Sequence, residues 1–157
     1  MMTIEAKIDQ LIELISDSSE ALWGVWLGET LACFGCSTGT IHTLENGTTI
    51  LRLQAHVGVP DFLLPKMSEV PIGKGMAGIA AERKQAVQVC NLQTDDSGVV
   101  RPGAKDTKVE GAITVPLLFN GELYGTLGIA KKEPYEFTDE EVSALMRLAT
   151  SMAQKVA

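Results

Sequence analysis

The chain has 157 residues, with 13 Lys and Arg against 20 Asp and Glu and a formal net charge of −7. This length is most simply one domain, and 45% hydrophobic with 21% charged residues is typical of an ordered globular chain. The negative charge disfavours nucleic acid as a partner, because basic residues must neutralise its phosphates. No apolar run reaches the ~18–20 residues of a membrane span, and the first residues have no signal-peptide core. We therefore expect a cytoplasmic protein without a membrane partner.

Three cysteines, an odd number, argue against a disulfide framework. Cys33 and Cys36 have Cys-x-x-Cys spacing, but a redox pair works best at a helix N-terminus, and this pair follows a predicted helix. A zinc site would have to recruit Cys90, His42 and His56, and no metal-ligand spacing accompanies them. We predict buried, unreactive cysteines and no metal site.

Two helices are predicted before the first strand. Thr3 is a suitable N-cap for the first helix, and apolar residues recur at helical spacing from Ile4 to Ile15. A second apolar helix is predicted over Glu20–Phe34, with Gly35 as its stop signal. The apolar stripe of the first helix is narrow, which fits either packing on its own sheet or contact with a second protein surface.

The periodicity then changes from helical to alternating, which predicts strands. Thr38–Leu44 and Thr48–Val57 flank Asn46-Gly47, a strong hairpin signal. Alternation places His56 on the polar face of the second strand and His42 on the neighbouring strand. We interpret both histidines as surface or sheet-face residues rather than ligands. The apolar face of the second strand is predicted to consist of Leu51, Leu53, Ala55 and Val57.

Residues 73–78 match the Gly-x-Gly-x-x-Gly spacing of dinucleotide-binding folds. The preceding run, Glu69–Ile72, is short and contains Pro71, which a central parallel strand would not accept. We therefore disfavour a dinucleotide site. The glycines instead predict a tight turn into a helix over Met76–Arg83, whose free N-terminal amides, beside Lys74, would suit an anion.

A short strand, Ala86–Cys90, and a second hairpin complete the predicted sheet. Gly111–Leu118 and Glu122–Ala130 flank the turn signal Asn120-Gly121. Alternation along the last strand predicts one face formed by Leu123, Gly125, Leu127 and Ile129, and another formed by Tyr124, Thr126, Gly128 and Ala130.

The last predicted helix opens at Thr138 and reaches the end of the sequence. Thr138 as N-cap and Glu141 three residues later form a capping box. The order of elements predicts an α+β fold, with helices on one side of the sheet and a long loop available to the other.

That loop is Asn91–Glu110. Loops longer than about 12–15 residues are uncommon in compact domains and are often binding loops or lids. Both charge signs, several hydroxyls and two turn signals favour an ordered cap over the sheet, with a solvated surface loop as the alternative. For Thr114 and Thr126, on the second hairpin, lining a pocket floor and ordinary strand formation are alternatives. The candidate ligand-binding residues are Arg101 and Lys105 for ligand charge, Thr94, Asp96, Ser97 and Thr107 for hydrogen bonds, and Thr114 and Thr126 for the floor.

Five segments share their order and spacing with one known family: Ser37–His42, Pro71–Gly78, Val115–Leu117, Tyr124–Gly128 and Phe137–Glu140. From about residue 20 onwards the chain resembles the GAF domain, the small-molecule sensing module of cyclic-nucleotide phosphodiesterases, phytochromes and bacterial regulators. The resemblance implies a central antiparallel sheet of five or six strands with the N- and C-terminal helices on one face. It places a ligand pocket on the other face, under the long loop and a short helix, and implies homodimers through the terminal helices. Residues 1–17 would then be a dimerisation helix and residues 18–157 the GAF-like domain.

Departures from the family pattern argue against two known ligands and one known activity of the family. Ala130 precedes Lys131 where cyclic-nucleotide-binding members carry Asn, and Asn91 follows Cys90 where bilin-binding members usually carry His. GAF-type free methionine sulfoxide reductase has cysteines in the loop and the preceding helix, whereas this loop has none and Met76 occupies a helix position. The residues therefore identify no cofactor.

The sequence leads to a non-catalytic sensory or regulatory GAF-type domain that binds a small polar or anionic molecule. With no output segment attached, we expect it to act in trans on a signalling protein. A redox enzyme related to the GAF-type reductase and a purely structural dimerisation module are the alternatives.

Overall fold

The computed structural model describes residues 2–100 and 102–157. Within these residues, six strands form one antiparallel sheet in the order β3-β2-β1-β6-β5-β4. The α+β prediction is confirmed. The strands are β1 (Thr38–Leu44), β2 (Ile50–Val57), β3 (Glu69–Pro71), β4 (Val87–Val89), β5 (Ala112–Phe119) and β6 (Glu122–Ala130). The helices are α1 (Ile4–Asp17), α2 (Trp23–Phe34), α3 (Leu64–Met67), α4 (Gly75–Arg83) and α5 (Asp139–Val156), with 3₁₀ turns at Asp61–Leu63 and Pro102–Thr107.

The main hydrophobic core lies between one face of the sheet and the helices α1, α2 and α5. The helices contribute fully buried residues such as Ile8, Trp26 and Leu148, and the sheet contributes Ile41 and Leu127. The narrow stripe of α1 is therefore buried within its own domain. No helix in the described residues is long and apolar enough to cross a bilayer.

Two side-chain caps and one glycine fix the ends of three helices as the sequence predicts. Thr3 Oγ1 accepts a hydrogen bond from Ala6 N at 3.1 Å, and Thr138 with Glu141 forms the capping box of α5. Gly35 ends α2 in the left-handed conformation, with φ 63°. The start of α2 is Trp23 rather than the predicted residue 20.

The prediction that Leu51, Leu53, Ala55 and Val57 share one face of β2 is wrong, because β2 contains a β-bulge. Ile41 pairs with Ala55, but the next residue, His42, pairs with Leu53, so that Gln54 is an extra residue on β2. Because side chains alternate along a strand, one extra residue reverses every side chain beyond it. Ala55 accordingly packs into the helix-side core, whereas Leu51 packs with Val70 and Ala81 on the opposite face. Val57, predicted on the apolar face, is 39% exposed.

A second bulge has the same effect on β6. Leu117 pairs with Gly125, and Leu118 pairs with Leu123, which leaves Tyr124 as the extra residue. Tyr124 packs against the helix-side core and Leu123 packs on the opposite face, the reverse of the prediction. Gly125 is required here, because a Cβ would lie 2.0 Å from the carbonyl oxygen of His42.

Candidate functional site

The face of the sheet opposite α1, α2 and α5 has an open floor built from β1, β6 and β5. Cross-strand pairing aligns Thr40, Gly128 and Thr114 in its central row. A Cβ on Gly128 would lie 3.1 Å from Thr114 Oγ1 and 3.4 Å from Thr40 Oγ1, so glycine keeps this row clear. The two flanking rows are Thr38, Ala130 and Ala112 on one side, and His42, Thr126 and Pro116 on the other.

A cavity of about 500 Å³ lies over this floor, within the size range of small-molecule sites. One wall comes from the segment between β2 and β3, including Leu63 and Met67, and another from the first turn of α4. The roof is the predicted cap: Leu92, Val100, Gly103, Ala104, Thr107 and Val109 all line the cavity.

Hydrogen bonds and burial hold the roof in place. The Gln93 side-chain amide donates to the carbonyl oxygens of Lys105, at 3.0 Å, and Val109, at 2.7 Å, and so ties together the two ends of the loop. Leu92 and Val109 are 4% and 3% exposed. Thr107 Oγ1 donates to Ala104 O at 2.7 Å within the 3₁₀ turn. The described residues of the loop therefore form a hydrogen-bonded lid over the cavity, with one side exposed to solvent.

The predicted ligand-binding residues fall into three groups. Thr107 and Thr114 line the cavity. Lys105 is half-buried in the roof without lining the cavity, and Thr126 is buried in the floor beside His42. Thr94, Asp96 and Ser97 are exposed on the loop and do not line the cavity. The hydroxyls of Thr94 and Ser97 hydrogen-bond within the loop itself, to Asn91 O and Asp95 Oδ2. Arg101 lies outside the described residues.

His42 belongs to the site, although the sequence did not predict it as a site residue. It lines the cavity, is 2% exposed, and its Nε2 lies 2.9 Å from Met67 O. Since a carbonyl only accepts, Nε2 carries the proton and Nδ1 is a free acceptor without a described partner. Burial lowers the pKa of His42, and the bond to Met67 opposes this only in part. The signal in the sequence was the alternation of Thr38, Thr40 and His42 on one face of β1.

The first turn of α4 forms part of the cavity wall. Gly75, Met76 and Ala77 line it, and the N–H groups at the start of a helix have no acceptor inside the helix. No side chain caps α4, whose preceding residue is Lys74. This arrangement is a potential anion site, as the sequence predicts.

The Gly-x-Gly-x-x-Gly motif has a packing role. β3 is a three-residue edge strand antiparallel to β2, which excludes the dinucleotide-binding arrangement of a central parallel strand. A Cβ on Gly78 would lie 2.4 Å from Pro71 O, so glycine allows α4 to pack closely against β3.

The charged residues of the cavity are of one sign. Lys66 and Lys74 line it, and no acidic residue does so in the described part of the chain. The chain as a whole carries 20 acids against 13 bases. The cavity therefore differs in charge from the rest of the protein.

The cysteines lie elsewhere. Cys33 and Cys36 are partly buried against the helix-side core, and burial raises the pKa of both thiols, that of Cys36 to about 11. Cys90 is exposed, so the prediction that it is buried is wrong. None of the three lines the cavity. Residues 2–100 and 102–157 contain no cluster of three or more His, Cys, Asp or Glu side chains suited to a metal ion.

Comparison with known proteins defines the relationship of the chain. A sequence profile of the GAF domain matches residues 27–157. Among curated proteins, none matches the chain.

Solved structures share the fold at low sequence identity. The GAF domain of a phosphoenolpyruvate-protein phosphotransferase from Coxiella burnetii superimposes with a TM-score of 0.83 at 17% identity, over 98% of this chain and 92% of that one. The corresponding domain from Acinetobacter gives 0.81 at 16% identity, over 99% and 94%. Free methionine-R-sulfoxide reductase from Neisseria meningitidis, in complex with its substrate, gives 0.78 at 18% identity, over 97% and 87%.

Proposed function

Because the chain belongs to the GAF domain family, we propose that it is a non-catalytic, small-molecule-binding domain that regulates a signalling partner in trans. One observation carries the proposal: a cavity of about 500 Å³ lies between the sheet and an ordered lid. The floor is kept clear by glycine and small residues, with Gly128 at its centre. This is the arrangement expected of a receptor rather than of a self-filled core.

Ligand binding would act through the lid and α4. Both elements line the cavity, so a bound molecule would contact both of them. A ligand shifts a conformational equilibrium only as far as it binds one state more tightly than the other. We propose that the bound state is the one in which the lid is ordered as described above, and that this state presents a different surface to the partner.

The test is retention of a small molecule by the purified chain, observed by native mass spectrometry, together with a thermal-shift screen of metabolites. Gly128→Val, which fills the floor, is the blocking variant. Lys132→Met, an exposed position away from the cavity, is the matched control. We expect the control to respond as wild type does and Gly128→Val to lose the response. If no compound stabilises the wild type and none is retained, the receptor proposal fails.

We also propose that the chain forms homodimers through its terminal helices. Leu14 on α1 and Val25 on α2 are 43% and 51% exposed, which leaves apolar surface outside the core. Deletion of α1 would remove Ile8 and Ile15, both fully buried, and uncover the core residues that they pack against, so surface substitution is the cleaner test. We expect Leu14→Glu to shift a dimer to monomer in sedimentation velocity without loss of helical content. A wild-type monomer at all concentrations would exclude the dimer.

The alternative of a sulfoxide reductase is supported by the shared fold alone. The cavity holds no cysteine, and the thiols nearest the core have raised pKa values, whereas a thiolate is the reactive species. Reduction of free methionine sulfoxide by the purified chain, lost in Cys90→Ser, would revive the enzyme hypothesis.

A further inference from the structure

The lining of the cavity also indicates which class of small molecule it accepts. Its walls and roof are mainly aliphatic, with contributions from Val59, Leu63, Val70, Leu92, Val100 and Val109. The charged side chains among the described lining residues are Lys66 and Lys74, and both residues are exposed. Their ammonium groups are therefore hydrated at the rim and require no partner from a ligand. Because burying an unpaired charge costs free energy, the aliphatic interior favours an uncharged ligand.

Two hydroxyl groups lie at the centre of the floor beneath this aliphatic interior. Thr40 on β1 and Thr114 on β5 flank Gly128 on β6 in one cross-strand row. Their Oγ1 atoms would lie 3.4 and 3.1 Å from a Cβ on Gly128, which has no side chain to separate them from the cavity. One small polar group lying over Gly128 can therefore approach both hydroxyls at once.

The hydroxyl of Thr114 is itself a sign of a ligand. The residue is 7% exposed and lines the cavity, and its Oγ1 has no hydrogen-bond partner in the described chain. Thr126 Oγ1, in the next row of the floor, also has no partner but is completely enclosed by protein. Thr114 Oγ1 is not enclosed in this way, so its unused hydrogen-bonding capacity is directed at the cavity. A buried hydroxyl of this kind gains free energy from a partner that enters the cavity.

Other polar side chains of the lining have less to offer a ligand. The Thr107 hydroxyl already donates to Ala104 O at 2.7 Å. His42 Nε2 is bonded to a backbone carbonyl, and its Nδ1 is enclosed. The pair formed by Thr40 and Thr114 is thus a place in the described lining where a neutral polar group meets two open hydroxyls.

From these features we infer that the cavity binds an uncharged carbonyl compound with an apolar body, whose carbonyl oxygen lies over Gly128 and accepts hydrogen bonds from Thr40 and Thr114. A carbonyl oxygen suits this place because it has two lone pairs and each hydroxyl has one proton to donate. The inference rests on the receptor proposed above and specifies its ligand. It departs from the anionic ligand that the charges of the loop suggested.

Four small probes test the charge and polarity of the ligand: benzamide, benzoate, benzamidinium and toluene. The first three have nearly the same shape and differ mainly in charge, and toluene has no polar group. Binding to the full chain is measured by titration of backbone amide chemical shifts in two-dimensional NMR spectra, with Gly128 as the reporter of the floor. We expect benzamide to bind at least about tenfold more tightly than benzoate or benzamidinium, because the charged probes lose hydration without gaining a partner.

Matched substitutions locate the carbonyl group. Thr114→Val keeps the shape of the side chain and removes the hydroxyl, and we expect it to weaken benzamide about fivefold without weakening toluene. Thr126→Val removes an enclosed hydroxyl from the neighbouring row and should leave both affinities unchanged. Thr114→Ser keeps the hydroxyl and should bind benzamide nearly as wild type does. Gly128→Val should abolish binding of all four probes, with far-UV circular dichroism confirming that each variant folds.

The outcomes distinguish this inference from the function beneath it. If benzoate or benzamidinium binds as tightly as benzamide, the uncharged class is overturned and the receptor stands. The same holds if Thr114→Val weakens benzamide and toluene equally, or weakens benzamide no more than Thr126→Val does. If none of the four probes binds, the inference is also overturned, and native mass spectrometry decides the receptor separately. A retained molecule would then support the receptor, and the absence of one would remove both proposals.

Discussion

His42 on β1 and Thr126 on β6 are direct cross-strand partners in the cavity floor, and each has a buried polar atom without a described hydrogen-bond partner. The atoms are Nδ1 of the histidine and Oγ1 of the threonine. A buried polar group without a partner costs free energy, so these two atoms together lower the stability of this part of the floor. The same histidine connects the floor to α3 through Met67 O.

Stability should fall in mild acid because of His42. Burial lowers its pKa in the folded state below the ordinary value of about 6.5, so the unfolded chain binds more protons as pH falls. The contribution of His42 is thus present above pH ~6.5 and is lost as pH falls below it, by at most about 1.4 kcal/mol per pH unit. Urea denaturation at several pH values between 5 and 8 measures this, with His42→Gln as comparator. An identical pH dependence in both proteins would contradict it.

Removal of the Thr126 hydroxyl should be tolerated. Thr126→Val keeps the shape of the side chain and deletes an unpaired polar atom, so we expect stability unchanged or raised by up to about 1 kcal/mol. Thr30, fully buried on α2, is the control, because its Oγ1 donates to Trp26 O at 2.7 Å and Thr30→Val should cost about 1 kcal/mol. A larger loss of stability for Thr126→Val than for Thr30→Val would contradict this expectation and would indicate that the Thr126 hydroxyl is bonded to His42 in solution.

Two glycines on opposite faces of the sheet should respond differently to alanine. A Cβ on Gly39 would lie 2.9 Å from Leu27 Cδ1 and from Leu31 Cδ2, and 3.0 Å from a backbone oxygen. We expect Gly39→Ala to cost about 1–3 kcal/mol through overpacking under α2. Gly128→Ala faces an open cavity and hydroxyls that can rotate, and should cost less than about 1 kcal/mol. Equal effects in urea denaturation would mean that the floor is as tightly packed as the helix side.

Lys131 should contribute to stability through the end of α2. Its Nζ donates to Phe34 O at 2.8 Å and to Gly35 O at 3.3 Å, and lies 4.7 Å from the centre of the Tyr135 ring. We expect Lys131→Met to cost about 1–2 kcal/mol, since it removes a charge-assisted C-terminal cap and a cation–π contact. Lys132→Met, at the exposed neighbouring position, should change the free energy of unfolding by less than about 0.5 kcal/mol. Equal values for the two variants would contradict this role.

The cysteines should differ in reactivity. Cys90 is exposed, whereas Cys33 and Cys36 are partly buried with raised thiol pKa values. In the native protein at pH 8, one equivalent of iodoacetamide should therefore modify Cys90 first, as read by peptide mass spectrometry. First modification at Cys33 or Cys36 would show that the helix side opens readily.

The elements and their caps could be predicted because each has a local cause. Thr138 with Glu141 and the Asn-Gly turns act within a few residues, so the sequence alone identifies them. The faces of β2 and β6 could not be assigned correctly, because a bulge is set by pairing with a distant strand, as at Gln54 and Tyr124. The site was likewise predictable only in part. Its lid was evident from length and composition, whereas the burial of His42 results from the α3 segment that covers it.

The end of β6 makes contacts on both sides of the sheet. Ala130 lines the cavity, and the next residue, Lys131, donates a hydrogen bond to Phe34 O at the end of α2, on the opposite side of the sheet. A molecule bound against Ala130 would therefore lie one residue away from the side chain that caps the end of α2. If a bound molecule displaced the end of β6, the hydrogen bonds of Lys131 would carry that displacement to the C-terminal end of α2, on the face of the sheet remote from the cavity.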